Sequence, residues 1–259
     1  MKPRAGRLRL RVEGGKGKDR KPESVRRFQV EAGEVLAVVG PTGSGKTRLL
    51  ADIERLAQGD SPTGRHVHLE GADAAGLPPE ALVARLSQAM GFYLDATAGE
   101  FVRLHAEHRG RANPEALAAE AIEAANGLVG EPFTRDVPLA LLSGGQARAL
   151  MVADVVLISA CPVVLIDELE NAGIDRLRAL GFLLAHRVIA LVATHDPLIA
   201  LRADRRLVLA GGAVRAVIRR SAAEAGLLRR LESDHVRSED LKDRLRRGAP
   251  LAASRRRKT

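Results

Sequence analysis

Cysteine is almost absent from this chain: Cys161 is the single one among 259 residues. One thiol forms no intramolecular disulfide and builds no cysteine-rich zinc site, so a reducing compartment is expected. Aromatic side chains are scarce too, with no Trp, one Tyr and five Phe. A surface of interleaved rings for stacking nucleic-acid bases is therefore not expected. No stretch approaches the ~18 consecutive apolar residues that read as a membrane span. The opening MKPRAGRLRLRVEGG has charges but no apolar segment behind them, so it does not read as a secretory signal. Together these absences lead one to expect a soluble, cytoplasmic chain, with a peripheral place on the inner face of the cell membrane left open.

Positive charge is what the chain has in excess, and it is unevenly placed. Of the net +9, residues 1–27 carry +8 and residues 219–259 carry +7, which leaves −6 on residues 28–218. A basic body would suggest nucleic acid as a partner. Basic ends on an acidic body read instead as solvated segments that could touch an acidic lipid surface. Nucleic acid is accordingly not the expected partner.

The length suits one large α/β domain carrying a subdomain. LRLRV (8–12) alternates apolar and basic residues like a half-exposed strand, GGKGKDRKPE (14–23) reads as a loop, and VRRFQV as a second strand. EVLAVVG (34–40) is a buried strand ending in glycine, followed by the helical spacing of KTRLLADIERLA (46–57). GRHVHLEG is a short strand. It sets His66 and His68 on one face, with no third metal ligand nearby in sequence. Between 95 and 160 the pattern turns helical, as in EFVRLHAEH, PEALAAEAIEAANGL and ARALMVADVVLIS. CPVVLIDE (161–168) is a buried strand, RLRALGFLL a helix, RVIALVATHD a strand, and RRLVLA with AVRAVI a hairpin. Strands alternating with helices predict a mainly parallel sheet, with an antiparallel β subdomain at the start and a helical subdomain inserted over about 95–160. The expected organisation is a domain over 1–220, one or two amphipathic helices over 221–247, and a basic disordered tail over 248–259.

Two local patterns carry chemistry. GPTGSGKT matches G-x-x-x-x-G-K-[ST] between a strand and a helix: Gly40, Pro41, Thr42, Gly43, Ser44, Gly45, Lys46 and Thr47. Such a loop wraps backbone N–H groups around phosphates at a helix N-terminus, with Lys46 reaching the β- and γ-phosphates and the Thr47 hydroxyl facing Mg²⁺. VVLIDE supplies two carboxylates at a strand end, Asp167 for the metal and Glu168 to orient and deprotonate water. These patterns name a P-loop NTPase fold.

LSGGQ at 142–146 lies far downstream of a phosphate loop that is already complete. With it, the chain resembles the ATP-binding cassette (ABC) ATPases over about residues 8–218, and Arg148 fits the basic residue that follows the signature. The resemblance implies a head-to-tail dimer with two ATP in its interface. Ser143, Gly144, Gly145 and Gln146 would then face the nucleotide of the opposite subunit. It also implies that His195 of ATHD contacts the γ-phosphate and holds Glu168. Gln88 of RLSQAMGFY would contact Mg²⁺ and the attacking water, and Asp175 would end the loop crossing the dimer interface. The implied cofactors are ATP and Mg²⁺, and the implied function is the motor subunit of a transporter powering a separate permease. The alternative is a soluble cassette ATPase that assembles or remodels a protein partner, as in iron–sulfur cluster assembly. Three departures stand out. Residues 8–24 hold no aromatic to stack on adenine, which leaves ATP against GTP open, and Phe28 reads as core. Leu169 stands where the family usually has Pro. Asp175 and His195 are only 20 positions apart, so the helix between them must be short.

Overall fold

The structure is a computed structural model that describes residues 8–71, 77–87, 91–92, 94–168 and 173–248. It divides into two compact units, Met1–Arg220 and Ser221–Thr259.

The first unit holds two sheets. β1 (Arg9–Glu13) pairs antiparallel with β2 (Arg27–Glu31) and with β4 (His66–Glu70) in a three-stranded sheet. The main sheet has the order β5 (Val83–Leu86), β6 (Val163–Asp167), β7 (Ile189–Ala193), β3 (Val35–Val39), β8 (Arg205–Ala210), β9 (Ala213–Arg219). Its first five strands are parallel and β9 closes the edge antiparallel to β8. β5 was not among the expected strands: VARL is four residues with no alternation to set it apart.

Central strands feed two apolar layers by the period-two rule. Val35 and Ala37 of β3, Val164 and Ile166 of β6, and Ala190 and Val192 of β7 point to one side. There they meet α3 (Ala98–His108), α4 (Pro114–Asn126) and α5 (Gly144–Ala153). The alternate residues Leu36, Val38, Val163, Leu165, Ile189 and Leu191 face the other side. They pack with Leu49, Leu50 and Ile53 of α1 (Lys46–Glu54) and with Leu10, Val12, Phe28 and Val30 of the small sheet. Phe28 is core, as expected. Each such buried Val, Leu or Ile contributes roughly 1.5–3 kcal/mol.

The remaining elements are short. α2 (Pro79–Leu82) leads straight into β5, and α7 (Pro197–Arg202) follows β7. α6 (Arg176–Ala185) is the ten-residue helix between Asp175 and His195, short as the spacing requires. ARALMVADVVLIS does not continue as one α-helix: α5 widens into a π-helix over Asp154–Ser159. Side chains from α3 and its end hold the wide turn. His105 Nδ1 meets the Asp154 carboxylate at 2.8 Å, while Arg109 and Arg111 donate to the carbonyls of Ser159 and Leu157. Cys161 lies beside this turn, and burial pushes its thiol pKa up, which makes it a poor nucleophile.

The second unit is one helix rather than two, α8 (Ala222–Arg246), opened by a capping box of Ser221 and Glu224. Residues 249–259 of the expected tail lie outside the described residues.

Candidate functional site

The phosphate loop follows β3 and hands over to α1 at Lys46. Gly45 sits at φ 103° with the backbone of Gly212 so close that a Cβ would stand 3.0 Å from its Cα. Only glycine fits there without strain. Gly212 N donates to Ser44 O at 2.9 Å, so the turn between β8 and β9 buttresses the loop from behind. Around the loop is a cavity of about 460 Å³, lined by the loop from Thr42 onward together with Lys18, Arg48, Asp167, Glu168 and His195.

Sheet order brings the chemical groups together. β7 lies between β3 and β6, and the β6–β7 register sets Asp167 opposite Ala193, so the acid pair and ATHD end at the same edge as the loop. Lys46, 7% exposed, donates to Gly40 O at 2.8 Å and lies 2.9 Å from His195 Nε2. An ammonium has only donors, so Nε2 accepts and the ring proton sits on Nδ1. Thr47 Oγ1 donates to Asp167 Oδ2 at 3.4 Å. Two hard oxygens, a hydroxyl and a carboxylate, suit Mg²⁺. The same Asp167 oxygen accepts from Arg85 at 3.1 Å, and Arg85 also bonds Glu54 of α1 at 3.1 Å. Arg85 escaped the sequence reading because its partners lie 82 and 31 positions away and no motif contains it.

Glu168 has φ 60°, a left-handed backbone that costs a non-glycine residue of order 1–3 kcal/mol. Its N–H donates to Ala193 O at 3.0 Å, which fixes the peptide and turns the side chain off the strand into the cavity. Gln88 lies outside the described residues.

The signature forms the start of α5. Ser143 is its N-cap, and its hydroxyl accepts from Gln146 N at 3.3 Å. Gln146 Oε1 accepts from Ser143 N and Nε2 donates to Glu131 O, both at 2.9 Å. The Gln146 amide is thus engaged within the chain and staples the loop. Ser143 and Gly144 are exposed, and none of the residues 143–146 lines the phosphate-loop cavity. Gly145 meets the loop before α6, where a Cβ would come within 2.5 Å of Gly173 O. Asp175, at the end of that loop, caps α6 by accepting from Leu177 N and Arg178 N at 3.0 and 3.1 Å. Arg176 pairs with Asp196, which ties the same loop to the residue after His195. Arg148, whose pKa burial lowers, donates to Ser87 O at 2.7 Å. That bond links the signature helix to the residue preceding Gln88.

Comparison with known proteins gives a consistent result. The family model described as ABC transporter matches residues 25–171. An uncharacterised ABC transporter ATP-binding protein of Methanocaldococcus jannaschii, MJ0121, is 43% identical over 246 residues, 93% of this chain and 94% of that protein. The macrolide export ATP-binding/permease protein MacB of Salmonella paratyphi A is 31% identical over 202 residues, 72% of this chain but only 30% of MacB. Among solved structures, the dimeric post-hydrolysis state of the ATP-binding cassette MJ0796, bound to ADP and Pi, matches with TM-score 0.61 at 22% identity. It covers 82% of this chain and 99% of that one, a likeness of fold.

Proposed function

This chain belongs to the ABC transporter family and is one of its ATP-hydrolysing, nucleotide-binding subunits, and on that premise we propose how it works. Two cassettes close head to tail over two ATP, and the closure drives a separate membrane permease from the inner face of the cell membrane. The observation that carries this reading is the place of the signature loop, exposed at the N-terminus of α5 and outside the chain's own phosphate cavity. A helix N-terminus with open backbone N–H groups favours an anion. The nucleotide it serves is then the one held by the other cassette. The names of MJ0121 and MacB support a permease as the partner. Among the described residues no helix is long and apolar enough to cross a membrane.

In this mechanism the backbone of Gly40–Thr47 and the Lys46 ammonium hold the phosphates. Thr47 and Asp167, with Gln88, would hold Mg²⁺, which would supply positive charge to offset that of the phosphates. Glu168 accepts the proton of the attacking water. His195 steadies the γ-phosphate and Glu168, its ring oriented by the Lys46 contact. Ser143 Oγ accepts within its cap, and its O–H can donate outward to the opposite γ-phosphate beside the N–H groups of Gly144 and Gly145. Gln146 holds that loop in shape. Asp175 ends the segment that crosses the interface, tied through Arg176 to Asp196, the residue after His195. The catalytic gain is positioning and charge stabilisation.

Lys46→Ala removes the buried ammonium that donates into the loop, and nucleotide affinity should fall at least about tenfold, the size of one charge-assisted hydrogen bond. Equilibrium binding of a fluorescent ATP analogue reads this, and unchanged affinity would remove Lys46 from the site. The partner is tested by purifying the tagged chain with ATP and Mg²⁺ from detergent-solubilised source membranes. A multi-span membrane protein is the expected companion. Soluble companions alone would replace the permease with a protein-assembly role.

A further inference from the structure

The cavity has a cation that no motif accounts for. Three basic side chains line it: Lys46 and Arg48, which belong to the loop and its helix, and Lys18, which comes from the loop between β1 and β2. Lys18 Nζ donates to Gly43 O at 2.9 Å, against the peptide framework that wraps the phosphates. Most exposed lysines roam. This one stands on a fixed base. Its N–H donates to Gly211 O at 2.8 Å, Gly17 N donates to Lys21 O at 2.9 Å, and Asp19 Oδ1 accepts from Lys21 N at 3.1 Å.

Beneath that turn lies a fully buried guanidinium. Arg65 bonds Glu23 at 2.6 Å and Asp52 at 2.8 Å, and it donates to Gly212 O at 3.1 Å. Glu23 in turn accepts from Val214 N at 2.8 Å. The Lys18 loop, the β8–β9 turn and the phosphate loop are thereby one braced unit. Among the described residues lining the cavity none is Phe, Tyr or Trp, and the one ring there, the His195 imidazole, is engaged by Lys46 at 2.9 Å, while three cations face the phosphates.

We propose that Lys18 is a nucleotide-contacting residue, gripping the phosphates held by the neighbouring loop, and that this site selects nucleoside triphosphates by their phosphates rather than by their base. The proposal rests on the nucleotide-site reading above. A rigidly presented ammonium adds a charge-assisted hydrogen bond that is indifferent to the base. Its loss weakens every triphosphate by a common factor.

The test is equilibrium binding of ATP, GTP and inorganic tripolyphosphate, each with Mg²⁺, to the full chain and to its Lys18→Ala and Lys18→Arg variants. The expected result is ATP and GTP constants within about threefold of each other. Lys18→Ala should then weaken all three ligands by a common factor of about tenfold, and Lys18→Arg should restore most of it. Three results overturn the proposal: a preference for ATP over GTP beyond about thirtyfold, unchanged constants in Lys18→Ala, or a loss for nucleotides that spares tripolyphosphate. Failure of the wild-type chain to bind any of the three would instead strike the nucleotide site itself. Thermal melting of Lys18→Ala, an exposed substitution, should match the wild type and so exclude misfolding as the cause.

Discussion

Replacing Glu168 with glutamine should lower ATP turnover by about 10²- to 10⁴-fold while leaving nucleotide binding in place. The substitution changes the chemistry at constant shape. Glutamine keeps the size of the side chain, and its backbone meets the same φ of 60° and the same bond to Ala193 O. What it loses is the capacity to take a proton from water. Lys46, Thr47, Asp167 and the loop still hold the triphosphate, so the closed state forms and cannot be discharged. With saturating ATP and Mg²⁺ the variant should therefore run as a dimer in size-exclusion chromatography, and as a monomer without nucleotide. Phosphate release and elution volume measured on one preparation read both halves. Turnover within threefold of the wild type would move the base elsewhere in the cavity. A monomer under saturating nucleotide would count against the signature loop serving a second cassette.

The same variant sharpens the role of Arg85. Asp167 shares one carboxylate oxygen with Thr47 and Arg85, and Arg85 is itself tied to Glu54. The acid pair therefore divides its work between neighbours. Asp167 is anchored from two elements, α1 and β5, whereas Glu168 is aimed by its backbone. A substitution at Glu168 leaves the anchored half untouched, which is why a loss of turnover there without a loss of binding is informative.

What was legible in the sequence is what chemistry forces to be contiguous. A phosphate wrapped by consecutive N–H groups needs its glycines in one run, and Gly40 to Thr47 stand in one. The acid pair at the end of β6, the serine cap of α5 and the histidine after β7 each depend on a short stretch and its place after a strand or before a helix. The two-sided burial of β3, β6 and β7 was legible as near-continuous apolar runs. The braces between these parts were not. Arg65 reaches Glu23 across 42 positions and Arg148 reaches Ser87 across 61, and nothing local marks either pair. A buried arginine looks like a surface arginine in a sequence until its partners are known. Lys18 stood in a loop whose Gly, Lys and Asp content reads as solvated turn, and only the fold brings it to the cavity. The π turn after α5 was hidden for the related reason that the side chains holding it, Arg109 and Arg111, come from the segment just after α3, 46 to 50 positions away.

Arg65→Leu should be the most destabilising of these substitutions, by about 3–5 kcal/mol. The guanidinium is fully buried, and the side chains of Glu23 and Asp52 are only 2% exposed. Leucine fills much of the volume but strands both carboxylates without a counter-charge and leaves Gly212 O short of a donor. Lysine is no rescue, because one ammonium on a flexible stem cannot span two carboxylates and a carbonyl as the planar fork does. For a domain of this size the loss corresponds to a fall in melting temperature of roughly 6–20 °C. The effect should extend to the site, because Gly212 also carries the bond to Ser44 that supports the phosphate loop. ATP affinity should fall even at temperatures where the variant is folded, and Lys18→Ala added to it should cost less than in the wild-type background, since the loop that presents Lys18 has lost its brace. Urea unfolding midpoints and ATP binding isotherms on the two single variants and the double variant decide the matter. A stability loss below 1 kcal/mol would mean that water reaches the stranded carboxylates and that the triad braces nothing. Strictly additive binding losses would separate the brace from the grip of Lys18.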